Sequence, residues 1–417
     1  MKDNYNKGFL TGVGVTLGII LAIIVVYFLF FNDFIKKMYP DQNNYSSENN
    51  PNNYTGEEKE KYDSFITKQN NIISIIQDKY YEQKDLDTLY WGACNGLVSV
   101  LEDPYSAYYT KEDYEALTQT TDGEYVGIGC YVAQQVDSDD FVVVSVIEGG
   151  PAEKAGMLPS DVIIKIDGTD VRGKDFNSAL AMVRGRAGTK VVVTVKRGQD
   201  EIDLSMQREK VEQKTISYEM LEGNVGYIRV ESFYKNTTQQ FDAALKDLES
   251  KGMEKLIMDL RDNPGGLFDV VVDMLDIFLD KDLLVAYIDD KAGNQTKSFT
   301  STEESFSKPM VILINGNSAS GSELFTQTMK DYEKAVVMGT KSFGKGIYQD
   351  LYHVGSDGSA IKLTCGRYYS PKGVCIHGVG IEPDITLEYV APENGVAYEN
   401  KEDDNQIKAA MDYLMEH

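Results

Sequence analysis

Three serines and one lysine in the C-terminal half of the chain could form a hydrolytic site. Ser318, Ser320 and Ser322 lie in "NGNSASGSELF", and Lys345 follows the middle serine by 25 residues in "SFGKG". A serine hydroxyl becomes a nucleophile when a base removes its proton, and a desolvated lysine amine can be that base near neutral pH. Taken alone, Lys345 is more readily interpreted as an exposed residue at a hairpin tip, because lysine is rarely buried. The surrounding sequence has to distinguish a catalytic lysine from an exposed one.

Ser320 is the best placed of the three serines. It stands between a predicted strand, "MVILIN", and a predicted helix, "GSELFTQTMKDY". The N–H of Gly321 then lies at the positive end of the helix dipole, where it could stabilise an oxyanion. Ser320 and Glu323 also have the spacing of a capping box, which requires no catalysis. This stretch alone leaves both interpretations open.

A glycine-rich turn could supply a second oxyanion donor. In "LIMDLRDNPGGLFD" a predicted buried strand runs into an Asn-Pro-Gly-Gly turn, whose Gly265 and Gly266 N–H groups lack steric cover. Acyl transfer generally uses two such donors. An ordinary turn would have the same sequence, so the prediction depends on the turn lying beside Ser320.

The three histidines offer an alternative Ser-His-Asp triad. His417 is the last residue, His377 lies in the glycine-rich "CIHGVG", and His353 follows a strand-like run. A triad is defined by geometry that the sequence does not contain. The lysine is the favoured base.

Composition excludes some classes of function. The 417-residue chain has 42% hydrophobic and 26% charged residues and a net charge of −25. Such a charge argues against nucleic acid as a partner. The four cysteines have no metal-ligand spacing, and we expect neither metal nor cofactor. Cys365 and Cys375 could form a disulfide across a hairpin in an oxidising compartment, although free thiols are favoured.

The N-terminal residues predict a membrane anchor. Residues 8–31 are 24 uncharged, mostly apolar residues, enough for a helix to cross the roughly 30 Å hydrocarbon core of a bilayer. A cleaved signal peptide would have a shorter apolar region and a small-residue cleavage site. We expect residues 1–7 in the cytoplasm and the rest outside, in a single-pass protein of the cell membrane. Lysines flank both ends of the span, so orientation is weakly specified. Two GxxxG spacings, "GFLTG" and "GVTLG", leave homo-oligomers open.

The rest of the chain predicts several domains of the α/β and α+β classes. Hydrophobic spacing changes from helical to alternating near residue 118 and then to longer α/β segments. The expected divisions are a flexible linker (32–60), a helical segment (61–117), a small β-rich domain (118–208), a larger α/β domain (209–390), and a tail that ends in a helix (391–417).

The small domain carries a candidate peptide-binding loop. Gly127, Ile128 and Gly129 would leave backbone N–H groups open to a carboxylate beside a strand edge. A plain glycine turn is the alternative on these residues alone. The segments "YVGIG", "VIEGGPAEKAGM", "DVIIKIDG" and "VRGRAGTKVVVTVKR" together resemble a bacterial PDZ domain, except that Ser160 stands where the family usually has glycine. The resemblance implies a β-sandwich with two helices whose loop 127–129 holds a peptide C-terminus beside a shallow apolar pocket.

The larger domain resembles the carboxyl-terminal processing proteases, which are Ser-Lys serine peptidases. The resemblance rests on "NPGG", "NGNSASGSELF", "SFGKGIYQ" and "RYYSPKGVCIHGVGIEPDI" behind a PDZ-like segment. It implies a crotonase-like α/β protease core. It also implies that Ser320 is the nucleophile, Lys345 the general base, and Gln349 the residue that positions the base. The oxyanion donors would be the N–H groups of Gly266 and Gly321.

Further residues follow from the same resemblance, which covers roughly residues 60–390. Asp331 matches an acid that supports structure. Arg184 matches an arginine of the PDZ domain that couples peptide binding to the active arrangement. Cys375 departs from the family pattern without affecting any catalytic role.

The expected function is therefore that of a membrane-anchored serine endopeptidase. Its partners would be protein or peptide substrates with apolar C-termini. The competing hypothesis is a membrane-tethered PDZ protein that binds peptides but has lost catalysis.

Overall fold

The computed structural model describes residues 53–135, 140–147, 149–302, 306–390 and 401–417. These residues form two compact units. The first contains the described residues up to Tyr114 together with Gln349–Thr364, and the second contains Glu115–Tyr348 and Cys365–His417. Helices and strands are numbered below in chain order. The predicted membrane span, residues 8–31, lies outside the described residues.

The first unit is mainly helical. It contains the helices α1 (Gly56–Lys79) and α2 (Leu86–Ser99) and the strand β1 (Ala107–Tyr109). Asp85 caps α2 by accepting a hydrogen bond from the Thr88 N–H at 2.7 Å. β1 pairs antiparallel with residues 360–362. Of the helices in the described ranges, none combines the length and apolar composition that crossing a bilayer would require.

A small β-rich domain opens the second unit after helix α3 (Lys111–Thr121). Its elements are β2 (Glu124–Gly127), β3 (Cys130–Gln134), β4 (Phe141–Val146), α4 (Pro151–Lys154), β5 (Val162–Ile166), β6 (Thr169–Asp170), α5 (Phe176–Val183), β7 (Lys190–Arg197), β8 (Asp200–Gln207) and β9 (Glu209–Glu212). The main sheet has the order β3-β4-β5-β7-β8. Alternate residues of β7, namely Val191, Val193 and Val195, are fully buried in its core, as the period of a half-buried strand requires.

Two strands connect the small domain to the rest of the second unit. β2, through which the chain enters, pairs antiparallel with β9, through which it leaves. We call this pair the connecting ribbon. The alternating stretch "YVGIGCYV" is divided into two strands, because Gly129 has φ +74° and the chain changes partner from β9 to β4.

The larger domain is built on a six-stranded sheet. Its elements are β10 (Ile216–Leu221), β11 (Val225–Val230), α6 (Thr237–Ser250), β12 (Lys255–Asp259), α7 (Phe268–Asp276), β13 (Leu284–Asp289), β14 (Gln295–Thr300), β15 (Met310–Ile314), α8 (Gly321–Asp331), β16 (Val336–Gly339), β17 (Ile347–His353), β18 (Ala360–Tyr369), β19 (Ile385–Thr386) and α9 (Asn405–Glu416). The sheet order is β10-β11-β12-β15-β16-β19. One face packs against α6, α7 and α8 and the other against α9, so the central strands are buried on both sides.

Parallel pairing of β12 with β15 brings two loops together. Leu256 of β12 lies opposite Met310 of β15, and Asp259 lies opposite Leu313. Both strands therefore end at the same edge of the sheet. The loop after β12 contains the predicted Asn-Pro-Gly-Gly turn, and the loop after β15 contains Ser320. Neighbouring parallel strands commonly form sites at this edge.

A buried charge network fixes the start of the loop after β12. Arg261 is fully buried, and its Nε and Nη2 donate to the two carboxylate oxygens of Asp259 at 2.9 and 2.6 Å. Asp404, the N-cap of α9, lies 2.8 Å from Arg261 Nη1. Burial alone would raise the pKa of Asp259, but the hydrogen bonds from Arg261 outweigh it and lower that pKa. The C-terminal helix is thereby tied to the functional edge of the sheet.

None of the four cysteines forms a disulfide within the described residues. Cys365 and Cys375, the candidate pair, are both partly buried, as are Cys94 and Cys130. Burial raises the pKa of Cys130 to about 12, so this thiol is unreactive at neutral pH.

Candidate active site

Ser320 occupies a strained turn between β15 and α8. Its backbone angles are φ +54° and ψ −112°, a region that side-chain-bearing residues rarely adopt. Such strain costs on the order of 1–3 kcal/mol and persists only where surrounding contacts impose it. A sharp strand-to-helix turn of this kind presents a hydroxyl at the N-terminus of a helix.

The two neighbouring serines are committed to structure. Ser318 Oγ donates to the carbonyl of Leu260 at 2.8 Å, and Ser322 Oγ donates to the carbonyl of Asn263 at 2.9 Å. Both serines are fully buried, whereas Ser320 is partly exposed. Of the three, Ser320 is the one a substrate could reach.

The NPGG turn (Asn263–Leu267) packs directly on the serine turn. The Asn263 side chain accepts from the Gly265 N–H at 2.8 Å and donates to the carbonyl of Val230 at 2.8 Å. The Ala319 N–H donates to the carbonyl of Asn263 at 3.0 Å. A Cβ on Gly265 would lie 2.8 Å from the Cβ of Ser320, so no larger residue fits there.

Two backbone donors beside Ser320 are open. The N–H groups of Gly266 and Gly321 donate to no acceptor among the residues that the structure describes. Gly321 is the first residue of α8, where no intrahelical acceptor exists. Gly266 is held in place through its neighbours, since Phe233 N–H donates to the Gly265 carbonyl at 3.1 Å and Leu267 N–H donates to the Phe233 carbonyl at 2.7 Å. Open donors of this kind suit a developing oxyanion.

The buried carboxylate of Glu323 joins the serine turn to the lysine loop. Its Oε2 accepts from the backbone N–H groups of Ser320 and Lys345, each at 2.8 Å. Its Oε1 accepts from the Ser342 hydroxyl at 2.5 Å and the Gly344 N–H at 2.7 Å. The backbone nitrogens of Ser320 and Lys345 are therefore separated by at most two hydrogen-bond lengths. The predicted capping pair is thus part of the site and not an alternative to it.

The hydroxyl of Tyr368 makes a second connection between the same two residues. It donates toward the carbonyl of Lys345 at 2.6 Å and lies 2.8 Å from the carbonyl of Ser320. Burial raises the pKa of Tyr368 well above its usual value, so the phenol keeps the one proton that these carbonyls share.

Lys345 is held in a loop that needs its flanking glycines. Gly344 has φ +94° and its carbonyl accepts from the Gly378 N–H at 2.9 Å. A Cβ on Gly346 would lie 2.6 Å from the backbone nitrogen of His377. The lysine is partly buried. The glycines on both sides of Lys345 therefore allow close backbone contacts with Gly378 and His377.

Gln349 belongs to the first unit. Its Nε2 donates to the carbonyl of Tyr105 at 2.6 Å. Its expected role in positioning the general base stays a prediction.

Two of the three histidines pack on tyrosine rings. The His353 ring meets Tyr114 edge-on at 5.0 Å, and the His417 ring stacks on Tyr413 at 4.3 Å. His377 Nδ1 is buried and has no hydrogen-bond partner among the described residues. These surroundings are those of packed side chains and add no support to a His-based triad.

Asp331 ties the end of α8 to a turn in the C-terminal part of the domain. It accepts from Gln327 Nε2 at 2.7 Å, from the Lys372 N–H at 2.8 Å and from the hydroxyl of Ser370. These contacts are consistent with the structural role that the resemblance implies.

The predicted peptide-binding loop has open donors as well. The carbonyls of Ile128 and Gly129 turn inward and accept from Ala152 and Ile147 at 2.7 and 2.9 Å. In the described part of the chain, the N–H groups of Ile128 and Gly129 reach no protein acceptor. Gly127 ends β2 directly before them.

An apolar pocket lies beside this loop, between β3 and α5. β3 is an edge strand of its sheet in the described residues, so it could pair with an extended peptide. The pocket holds about 20 Å³ and its lining residues include Val132, Phe141, Ile163, Ile166, Ala179 and Val183. The shallow apolar pocket that the PDZ resemblance implies for a peptide stays a prediction at this position.

Arg184 lies at the end of α5 and is exposed. Burial raises the pKa of Tyr125 in the connecting ribbon to about 12, and the positive charge of Arg184 partly offsets this by lowering the pKa of Tyr125. The arginine therefore lies within electrostatic reach of the ribbon that carries the small domain.

Comparison with known families agrees with these features. The family described as Peptidase family S41 matches residues 224–387, and the PDZ domain family matches residues 142–197. The family described as Activating protease CtpB N-terminal domain matches residues 29–113.

Similar proteins occur in staphylococci. A "Probable CtpA-like serine protease" of Staphylococcus aureus (strain N315) is 38% identical over 327 residues, 78% of this chain and 65% of that protein. The protein of that name from Staphylococcus epidermidis is 37% identical over 344 residues, 80% of this chain and 69% of its own length. This chain thus spans slightly less than two thirds of the Staphylococcus aureus protein and slightly more than two thirds of the Staphylococcus epidermidis protein.

One solved structure shares the fold. The structure described as a putative S41 protease from Bacteroides fragilis has a TM-score of 0.51 at 15% identity and covers 82% of this chain and 96% of its own. At this identity the similarity concerns the fold alone.

Three residues that build the site were not predicted in these roles. Glu323 was read only as a helix cap, and Asn263 and Tyr368 were not singled out. The "SGSE" spacing was the visible signal for Glu323, but its partners Ser342, Gly344 and Lys345 lie far along the chain. Asn263 is the residue before Pro in the turn, a position whose side chain often organises the backbone.

Replacing Glu323 by alanine should destabilise the larger domain. The change leaves four buried donors without their acceptor, and we expect the free energy of unfolding to fall by about 3–5 kcal/mol. Glu249→Ala is the matched control, because Glu249 forms an exposed ion pair with Lys308 that should contribute less than about 1 kcal/mol. Urea denaturation followed by circular dichroism measures both. Equal losses in the two variants would contradict the role given to Glu323.

Proposed function

The chain belongs to peptidase family S41, and from this we propose that it is a serine endopeptidase that binds the C-terminus of its substrate through the PDZ domain. The observation that carries the proposal is the arrangement around Ser320. Two open N–H donors, from Gly266 and Gly321, flank a partly exposed hydroxyl, and one carboxylate oxygen holds the backbone of both Ser320 and Lys345. A reachable hydroxyl, a lysine and two open N–H donors are the groups that an acyl-transfer site of this kind requires.

We propose the following chemistry. The uncharged amine of Lys345 takes the Ser320 hydroxyl proton as Oγ bonds to the scissile carbonyl carbon, and the carbonyl electron pair becomes an oxyanion. The Gly266 and Gly321 N–H groups stabilise that charge. When the C–N bond breaks, the lysine ammonium gives its proton to the leaving amine. Water then attacks the acyl-enzyme as Lys345 takes its proton. The ester bond to Oγ breaks, the lysine ammonium returns the proton to Ser320 Oγ, and the new C-terminus leaves.

The PDZ domain would present the substrate. A peptide paired with β3 would end at the loop 127–129, whose open Ile128 and Gly129 N–H groups suit a terminal carboxylate. The small apolar pocket beside α5 favours a small apolar terminal side chain. The substrates we propose are therefore proteins or peptides with apolar C-termini.

Substitution of either member of the proposed dyad should abolish turnover. We expect Ser320→Ala and Lys345→Ala to lower kcat on a protein with an apolar C-terminus by at least about 10⁴-fold, because nucleophile and base act as one unit. Lys341→Ala is the matched control, since Lys341 makes an exposed ion pair with Glu382. Peptide products are quantified by mass spectrometry.

Labelling by a fluorophosphonate separates this enzyme from a catalytically inactive peptide-binding protein. The wild-type protein should be labelled at Ser320 and the Ser320→Ala variant should not. Tail-peptide binding with neither labelling nor cleavage would favour the binding protein. Wild-type rates in the Lys345→Ala variant would exclude the dyad.

Arg184 is proposed to couple peptide binding to catalysis. Arg184→Ala should lower kcat at saturating substrate by about tenfold, an effect of 1.4 kcal/mol, without changing the unfolding transition. Arg186→Ala, two residues further on and also exposed, is the control. An unchanged kcat in the Arg184 variant at saturating substrate would end the coupling hypothesis.

Residues 8–31 are proposed to anchor the protein in the cell membrane with the catalytic domain outside. Leu21→Arg with Ile24→Arg places two charges at the centre of the span, at a cost of about 2.5–3.5 kcal/mol each. We expect the full-length variant to leave the carbonate-washed membrane fraction of expressing cells. The control variant, Asn43→Arg with Asn44→Arg, changes the predicted linker and should remain in the membrane fraction. Extracytoplasmic placement predicts digestion by protease added to intact spheroplasts.

A further inference from the structure

One short segment contacts both the NPGG turn and the base of the PDZ domain. At its first end, Phe233 is fully buried and its N–H and carbonyl bond to Gly265 and Leu267. Phe233 and Gly266 form an isolated parallel bridge, and a Cβ on Gly266 would lie 2.2 Å from the Phe233 carbonyl oxygen. The position of Gly266 therefore follows the position of Phe233.

Three residues later, Asn236 holds the base of the PDZ domain. Its Nδ2 donates to the carbonyls of Gly123 and Gln213 at 3.0 and 2.9 Å. Gly123 directly precedes β2 and Gln213 directly follows β9, so these are the two points where the chain enters and leaves the domain. The Gln213 N–H also donates to the Gly123 carbonyl at 2.7 Å. One amide group thus clamps both ends of the connecting ribbon.

Neighbouring contacts make the clamp specific. The Lys235 N–H donates to the carbonyl of Thr121 at 3.0 Å. Gln240, one turn into α6, donates to the Gln213 carbonyl at 2.9 Å and accepts from the Thr215 N–H at 2.9 Å. Gly123 is in the left-handed region at φ +71°, and a Cβ there would lie 2.0 Å from Asn236 Oδ1. A side chain at position 123 would therefore displace the Asn236 amide.

We propose that Asn236 is a positioning residue that sets the Gly266 oxyanion donor according to the placement of the PDZ domain. The inference rests on the proposed peptidase function and names a route that does not pass through Arg184. A displacement of the ribbon moves Gly123 and Gln213 and, through Asn236, the segment back to Phe233. Hydrogen bonds then carry that displacement to the NPGG turn. Contiguous hydrogen-bonded contacts of this kind can couple two sites energetically.

Loss of the clamp should reduce transition-state stabilisation and spare substrate binding. Removal of a complete oxyanion donor lowers kcat by about 10²–10³-fold. Displacement of the donor should lower kcat by only part of that factor. We expect Asn236→Ala to lower kcat about tenfold with KM changed less than twofold. The inhibition constant of a substrate-like peptide aldehyde, whose hemiacetal with Ser320 uses the same donors, should rise by the same factor. Asn294→Ala, at an exposed loop asparagine bonded to Asp290, is the matched control.

A structural role alone would not produce this pattern. It would lower the fraction of active enzyme, and with it kcat, but it would leave the inhibition constant of the aldehyde unchanged. Gly123→Ala tests the same contact from the PDZ side and should show the same parallel change, which keeps the test valid if Asn236→Ala unfolds. Fluorescence anisotropy of a labelled tail peptide should give wild-type binding to the PDZ domain in both variants.

The outcomes are distinct. A fall in kcat that parallels weaker aldehyde inhibition supports the inference. An unchanged kcat, or a lower kcat with unchanged aldehyde affinity, overturns it and leaves the peptidase standing. A wild-type protein without turnover or fluorophosphonate labelling overturns the proposed function, and this inference with it.

Discussion

The carboxylate of Glu323 is the interaction on which the rest of the candidate site depends. A single buried side chain satisfies donors from the serine turn and from the lysine loop, two segments separated by a helix and a strand. Buried charge is tolerated only where it is compensated by hydrogen bonds, and here the compensation is what holds Ser320 and Lys345 together. Tyr368 repeats the connection through the carbonyl groups of the same two residues. The backbone on both sides of the site is therefore fixed before any substrate arrives.

The parallel sheet supplies the other half of the arrangement. Because β12 and β15 are neighbours with the same direction, their loops meet at one edge. The carbonyl of Asn263 joins the two loops by accepting from Ser322 Oγ, and its side chain holds the first loop through Val230 and Gly265. The buried Arg261 holds the start of the NPGG turn against the strand and against the C-terminal helix. With the two loops held in this way, the N–H groups of Gly266 and Gly321 have no acceptor among the described residues and are available to a ligand.

Local sequence patterns were sufficient to locate the candidate residues but not to explain how they meet. Three local features are each encoded within a few residues: the strand-turn-helix around Ser320, the turn at Gly266, and the loop whose glycines flank Lys345. All three are present in the structure. The bonds from Glu323 to Ser342, Gly344 and Lys345 depend on tertiary structure, so spacing could not predict them. The break between β2 and β3 also depends on tertiary pairing, since "YVGIGCYV" alternates like one strand and only the different partners of its two halves divide it. The predicted membrane span lies outside the described residues.

The magnitudes explain how a strained serine can persist. The φ and ψ of Ser320 cost on the order of 1–3 kcal/mol. A charge-assisted hydrogen bond contributes about 1.5–3 kcal/mol, and Glu323 accepts four, of which one is on Ser320 itself and one on Lys345. The carboxylate therefore offsets the strain without help from a bound ligand, and the same bonds stabilise the start of α8. Helix capping and presentation of the Ser320 hydroxyl are thus a single arrangement, because the carboxylate that caps the start of α8 also keeps the serine in its partly exposed conformation.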